Sequence, residues 1–84
     1  MENLKNEIRA IVARIGDLNI ADIGDDTHLS GELRMDSIQA LDLLVELERK
    51  YSIVISEEEL EKFVSVNSLA QLVSDQMMAT AESQ

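Results

Sequence analysis

Three kinds of residue in this sequence could take part in chemistry: Ser37 in the tripeptide Asp36-Ser37-Ile38, the single histidine His28, and a scatter of carboxylates from Asp17 to Asp36. Ser37, His28 and an aspartate are the parts of a hydrolytic triad, in which imidazole takes the serine proton and a carboxylate orients the ring. A hydrolase serine of the elbow type is flanked by glycines, whereas Ser37 stands between Met35-Asp36 and Ile38-Gln39. One histidine on an acidic segment arises from composition alone, and the triad is set aside. The carboxylates raise calcium as a second possibility. With Asp26 as the first ligand of an EF-hand loop, Gly31 would take the turn position, but His28 would replace the second ligand and Ser37 the closing glutamate. That register fails, and no other is better. The chain has no cysteine, which removes disulfides, thiolate metal sites and a thiol nucleophile.

The elements that must position Ser37 follow from periodicity. Leu4, Ile8, Ile11, Val12 and Ile15 recur at helical steps, with Lys5, Glu7, Arg9 and Arg14 off that face. Gly16 ends this first helix, and residues 16–35 have the composition of a loop, long enough to need anchors at Leu18, Ile20, Ile23, Leu29 and Leu33. Asp36 then offers an N-cap and Gln39 completes a capping box, which puts Ser37 on the first turn of a second helix. That helix is apolar on more than one stripe and is expected to touch other helices on several sides. "SIVIS" alternates like a strand, but a lone strand has no partner and reads as an extended link. Ser56 and Glu59 form a second capping-box pattern for a short third helix ending near Phe63. Leu69, Leu72, Val73 and Met77 stripe a last helix. The fold class is all-α: a small four-helix bundle with a long first loop and a short third helix.

Bulk properties narrow the function. The 84 residues make one domain, placed at 1–78, with "ATAESQ" over 79–84 as a disordered polar tail. A formal charge of −10 repels nucleic acid and anionic membrane, and points to basic protein partners. No apolar run approaches the roughly 20 residues of a membrane span, and the N-terminus has charges where a signal peptide needs an apolar core. A cytoplasmic monomer is expected, and the start at Met1 without flanking linkers favours a free-standing protein.

Four helices, a long acidic first loop, Asp36-Ser37-Ile38 heading the second helix and an acidic start to a short third one resemble the acyl carrier proteins, from about Ile8 to Val73. The resemblance implies a covalent shuttle, not an enzyme, with 4′-phosphopantetheine on Ser37. The physics of the position agrees, since a phosphodiester there would meet the positive end of the helix dipole. The prosthetic arm would also supply the one thiol that a cysteine-free chain lacks. The resemblance places partner contacts on Asp36, Gln39, Asp42, Val45 and Glu48, and on Glu57, Glu58 and Glu61. The partners it implies are a phosphopantetheinyl transferase, acyl-loading enzymes, and ketosynthases or acyltransferases with basic docking patches. It places the acyl chain near Leu41, Val45, Leu60 and Leu69, and implies no metal.

Several residues depart from the usual pattern of the fatty-acid carriers: Arg34 for a glycine, Gln39 for an acid, Arg49 and Lys50 within an acidic stretch, Ser56 for a proline and Leu60 for a smaller residue. They suggest a specialised carrier serving polyketide, lipid-modifying or related biosynthesis, and Asp36 argues against a peptidyl carrier. Leu60 is expected to narrow the entrance to the acyl pocket, favouring short or polar cargo. Two other classes stand beside this reading: an unmodified helical interaction module of the same fold, and a small acidic metal-binding protein.

Overall fold

The computed structural model describes residues 2–82. Over them the chain forms helix α1 (Glu2–Gly16), a 3₁₀ turn (Ile20–Asp22), helix α2 (Ser37–Tyr51), a 3₁₀ helix (Glu57–Lys62) and helix α3 (Val66–Glu82). The four-helix arrangement expected from the sequence is present, its short third member being the 3₁₀ helix. Residues 53–56 are extended without a strand partner, with Ile53 and Ile55 buried and Val54 pointing out.

Helix α1 buries Ile8, Ile11, Val12 and Ala13, the face that its periodicity defines. Its end is a Schellman motif: the Leu18 N–H bonds the Ala13 carbonyl at 2.8 Å and the Asp17 N–H bonds that of Arg14 at 3.3 Å. The left-handed residue is Asp17, at φ 53°, not Gly16. Gly16 answers a different need, because a Cβ there would lie 2.8 Å from Leu18 Cδ1 as that side chain folds back. Helix α2 closes in a similar way, with Ser52 at φ 54° and the Ile53 N–H on the Glu48 carbonyl at 3.2 Å. At the start of α3, Ser65 Oγ accepts from the Ser68 N–H at 3.2 Å and Ser68 Oγ from the Ser65 N–H at 2.9 Å.

Ile8, Val12, Leu43, Leu47, Val66, Leu69 and Val73 are the most deeply buried large side chains, and they join the three α-helices in one core. Helix α2 packs against α1, α3 and the 3₁₀ helix, as expected, but not with all of its apolar residues. It buries Leu43, Leu44 and Leu47 on one side, while Ile38, Leu41 and Val45 remain 71%, 41% and 47% exposed. A bundle this small leaves part of the helix uncovered, so Ile38 and Val45 face out and Leu41 is only partly sheltered. Met77 is also exposed, beyond the reach of the core. The helix α3 backbone runs on through residues 79–82, and residues 83 and 84 of the expected tail lie outside the described residues.

The long loop is pinned to both neighbouring helices. Ile23 and Leu29 are buried, and Leu18 and Leu33 pack against the core. Ile20 is an exception to the expected anchors: it is exposed, in a turn closed by the Asn19 side chain accepting from the Ala21 N–H at 3.0 Å. Asp25 receives Arg9 and Lys5 from α1, and its carbonyl accepts the Asn67 N–H at 3.0 Å. Asp26 accepts from Asn67 Nδ2 at 2.6 Å. These acids hold the loop down, and among the described residues no cluster of His, Cys, Asp and Glu could hold a metal ion.

Candidate functional site

The segment that delivers Ser37 is organised by His28. Its carbonyl accepts the Glu32 and Leu33 N–H groups at 2.8 and 3.2 Å. Its own N–H donates to Glu32 Oε2 and its Nδ1 accepts the Gly31 N–H, both at 2.8 Å. Leu29 is held to α3's approach by its N–H on the Val64 carbonyl at 2.8 Å, and the Met35 N–H returns to the Leu29 carbonyl at 3.1 Å. Arg34 adopts the left-handed conformation, at φ 58°, which for a side chain with a Cβ costs roughly 1–2 kcal/mol. The buried Met35 follows at once and fixes the entry into α2.

The capping box forms as the sequence indicates: Asp36 Oδ1 accepts the Gln39 N–H at 2.8 Å, and Gln39 Oε1 accepts the Asp36 N–H at 3.1 Å. The Ala40 N–H is taken by the Asp36 carbonyl at 2.9 Å. Among the described residues the Ser37 and Ile38 N–H groups have no hydrogen-bond partner. Ser37, exposed at the first position of α2, therefore combines a free hydroxyl with two unpaired donors at the positive end of a helix. Such a place suits a phosphate ester.

From Ser37 a cleft of about 580 Å³ runs between the first turns of α2, the loop from His28 to Met35 and the 3₁₀ helix. Leu41 and Leu60 line it together with Met35, Phe63 and Val64. Two residues expected in the pocket are elsewhere. Val45 lies on the outward stripe of α2, and Leu69 is wholly buried in the core and does not line the cleft. His28, considered only as a triad member or a failed calcium ligand, lines the cleft. Gly31, three residues on, was the sequence signal that its ring folds back on the backbone.

The expected docking residues divide by what already holds them. Asp42, Glu57, Glu58 and Glu61 are exposed and make no ion pair among those of the described residues. Asp36 and Gln39 serve the cap. Glu48 is half-buried and its Oε2 accepts the Ile55 N–H at 2.8 Å, holding the extended link to α2. The second capping box is absent: Ser56 makes no side-chain cap bond. In the 3₁₀ helix the Glu59 N–H already reaches the Ser56 carbonyl at 3.0 Å, and the Glu59 carboxylate turns to Lys62 at 2.9 Å.

Residues 6–73 match the family described as the phosphopantetheine attachment site. The chain belongs to that family, as an acyl carrier protein. It is 32% identical over 73 residues to polyketide-8 synthase acyl carrier protein 2 of Streptomyces avermitilis, covering 87% of this chain and 84% of that one. It is 35% identical over 75 residues to the acyl carrier protein of Brachyspira hyodysenteriae, covering 86% and 94%. The solution structure of the apo doublet acyl carrier protein from prodigiosin biosynthesis superposes with a TM-score of 0.78 at 19% identity, over 89% of this chain and 36% of that one. Proteins of this family are carriers that biosynthetic enzymes act upon. No helix among the described residues is long and apolar enough to cross a membrane.

Proposed function

We propose that Ser37 is the attachment point of 4′-phosphopantetheine and that the chain carries acyl intermediates for polyketide-type or related biosynthesis. The observation that carries this is the exposed Ser37 hydroxyl beside the unpaired Ser37 and Ile38 N–H groups, at the mouth of the cleft. In the modification, Ser37 Oγ attacks the β-phosphorus of coenzyme A, the P–O bond to 3′,5′-ADP breaks, and the hydroxyl proton passes to the transferase. The bound arm supplies a thiol on which an acyl group is held as a thioester. The Asp36–Gln39 box fixes the first turn, so the serine is presented in one orientation.

The face around Ser37 suits transient partners. Ile38, Leu41 and Val45 form an apolar stripe on α2, flanked by Asp42 and by Glu57, Glu58 and Glu61 across the cleft. Carboxylates around an apolar centre fit a transferase, acyl-loading enzyme, ketosynthase or acyltransferase with a basic docking patch, where complementary charge speeds encounter. Leu60, half-buried on the cleft wall, narrows the space available to an acyl chain.

Intact-mass measurement tests the assignment. With coenzyme A, Mg²⁺ and a broad-specificity phosphopantetheinyl transferase, the wild type gains one arm and Ser37→Ala gains none. No gain in the wild type with several transferases would overturn the reading and leave an unmodified interaction module.

A further inference from the structure

The cleft beside Ser37 contains a polar group that carriage alone does not require. His28 Nδ1 accepts the Gly31 N–H at 2.8 Å. A backbone N–H can only donate, so the neutral ring bears its proton on Nε2. Gly31 permits this approach, because a Cβ there would lie 2.9 Å from Nδ1. The Ser30 hydroxyl stands 3.4 Å from the same nitrogen. Nε2 has no hydrogen-bond partner among the described residues, and the side chain is exposed. The ring is thus held in one tautomer, with one unused donor, on a side chain that shares the cleft with Ser37.

The rest of the lining sharpens the point. Leu41, Leu60 and Phe63 offer no donor, the Glu57 and Glu61 carboxylates only accept, and the Ser30 hydroxyl is turned to His28 Nδ1 at 3.4 Å. A fully saturated chain in the cleft would offer the His28 donor nothing beyond the thioester and leave it to solvent. A chain bearing a keto or hydroxyl oxygen could meet it. Because His28 is exposed, a donor the cargo does not meet goes to water, so the preference amounts to the net value of one hydrogen bond.

We propose that His28 is a specificity-determining residue, selecting acyl groups with an oxygen near the thioester by donating from Nε2 to that oxygen inside the cleft. The proposal rests on Ser37 as the attachment point. Chains of one length separate the chemistry: butyryl, 3-hydroxybutyryl and 3-oxobutyryl arms, loaded onto Ser37 from their coenzyme A thioesters by a broad-specificity transferase. Two readouts apply, the ¹⁵N shifts of the His28 ring and the rate of thioester cleavage by hydroxylamine. His28→Asn keeps an Oδ1 acceptor for the Gly31 N–H, while its own Nδ2 donor, on a shorter side chain, falls short of the place where Nε2 stands.

The oxygenated chains are expected to shift Nε2 where butyryl does not. Their cleavage should quicken about two- to tenfold in His28→Asn, the range of one neutral hydrogen bond, with the butyryl rate unchanged. Equal changes for all three chains, or none, would overturn the proposal and leave His28 as a loop staple. Should His28→Asn disturb the fold, seen in the amide spectrum of the unloaded protein, the wild-type ring shifts decide alone. Failure of the attachment reading looks different, since no arm would load at all.

Discussion

Two helix starts in this protein carry the same four-residue pattern and are built differently. Asp36-Ser37-Ile38-Gln39 closes its box at both ends, whereas Ser56-Glu57-Glu58-Glu59 makes no side-chain cap and winds into a 3₁₀ helix. The first opens fifteen residues of α-helix with Leu43, Leu44 and Leu47 in the core. The second spans six residues, none of them fully buried. Here the capping pattern closes only at the start that an α-helix with a buried face follows. The two starts form opposite walls of one cleft, with Ser37 on the capped α-helical wall and Glu57 on the uncapped 3₁₀ wall.

The largest expected break in this comparison lies in the packing behind each wall. Leu47→Ala, at a fully buried position, should cost about 2–5 kcal/mol in urea unfolding. Leu60→Ala, on the half-buried wall, should cost clearly less than Leu47→Ala while widening the cleft. An equal loss from both would show that the 3₁₀ wall is as firmly set as α2.

The caps come next. Asp36→Ala should cost about 1 kcal/mol, in the range of roughly 0.5–2 for lost N-caps, and Ser56→Ala less than about 0.5, since no cap bond is lost. Urea melts of the two variants would make this comparison, and a Ser56→Ala cost matching that of Asp36→Ala would contradict the uncapped 3₁₀ start.

The smallest effect concerns how α2 is held at its far end. Tyr51 donates to Glu7 Oε1 at 2.7 Å, and burial first, then that carboxylate, holds its pKa above the usual phenol range. The raised pKa means the unfolded chain gives up this proton first. The stabilisation is therefore complete below the ordinary tyrosine value of about 10 and is lost as pH rises above it. Tyr51→Phe should cost about 0.5–1 kcal/mol at pH 7. Melts in alkaline buffer should show that gap closing, and a gap constant with pH would remove the Glu7 bond from the account.

What was legible in the sequence was local or periodic. The α1 face, the Asp36 cap and the extended Ile53–Ile55 link each depend on neighbours within a few positions. Gly16 marked a true helix end for a reason that needed Leu18's fold-back to see. Ile20 and Met77 looked like core residues because pattern reports apolarity, not distance from the centre. The cleft was the least legible feature. Leu69 belongs to the core and Val45 to the outer face because three segments distant in sequence decide where the cleft opens. His28 enters it through a ring contact that only tertiary structure displays.

Asp25 holds α1 through Lys5 and Arg9, and α3 through Asn67. The loop leading to Ser37 thus depends on residues made both before and after it. Its contacts with Val64 and Asn67 cannot form until the last third of the chain exists. On the ribosome, where the N-terminus emerges first, the native presentation of the serine is a late event. The fold makes the setting of the Ser37 loop wait on the start of α3.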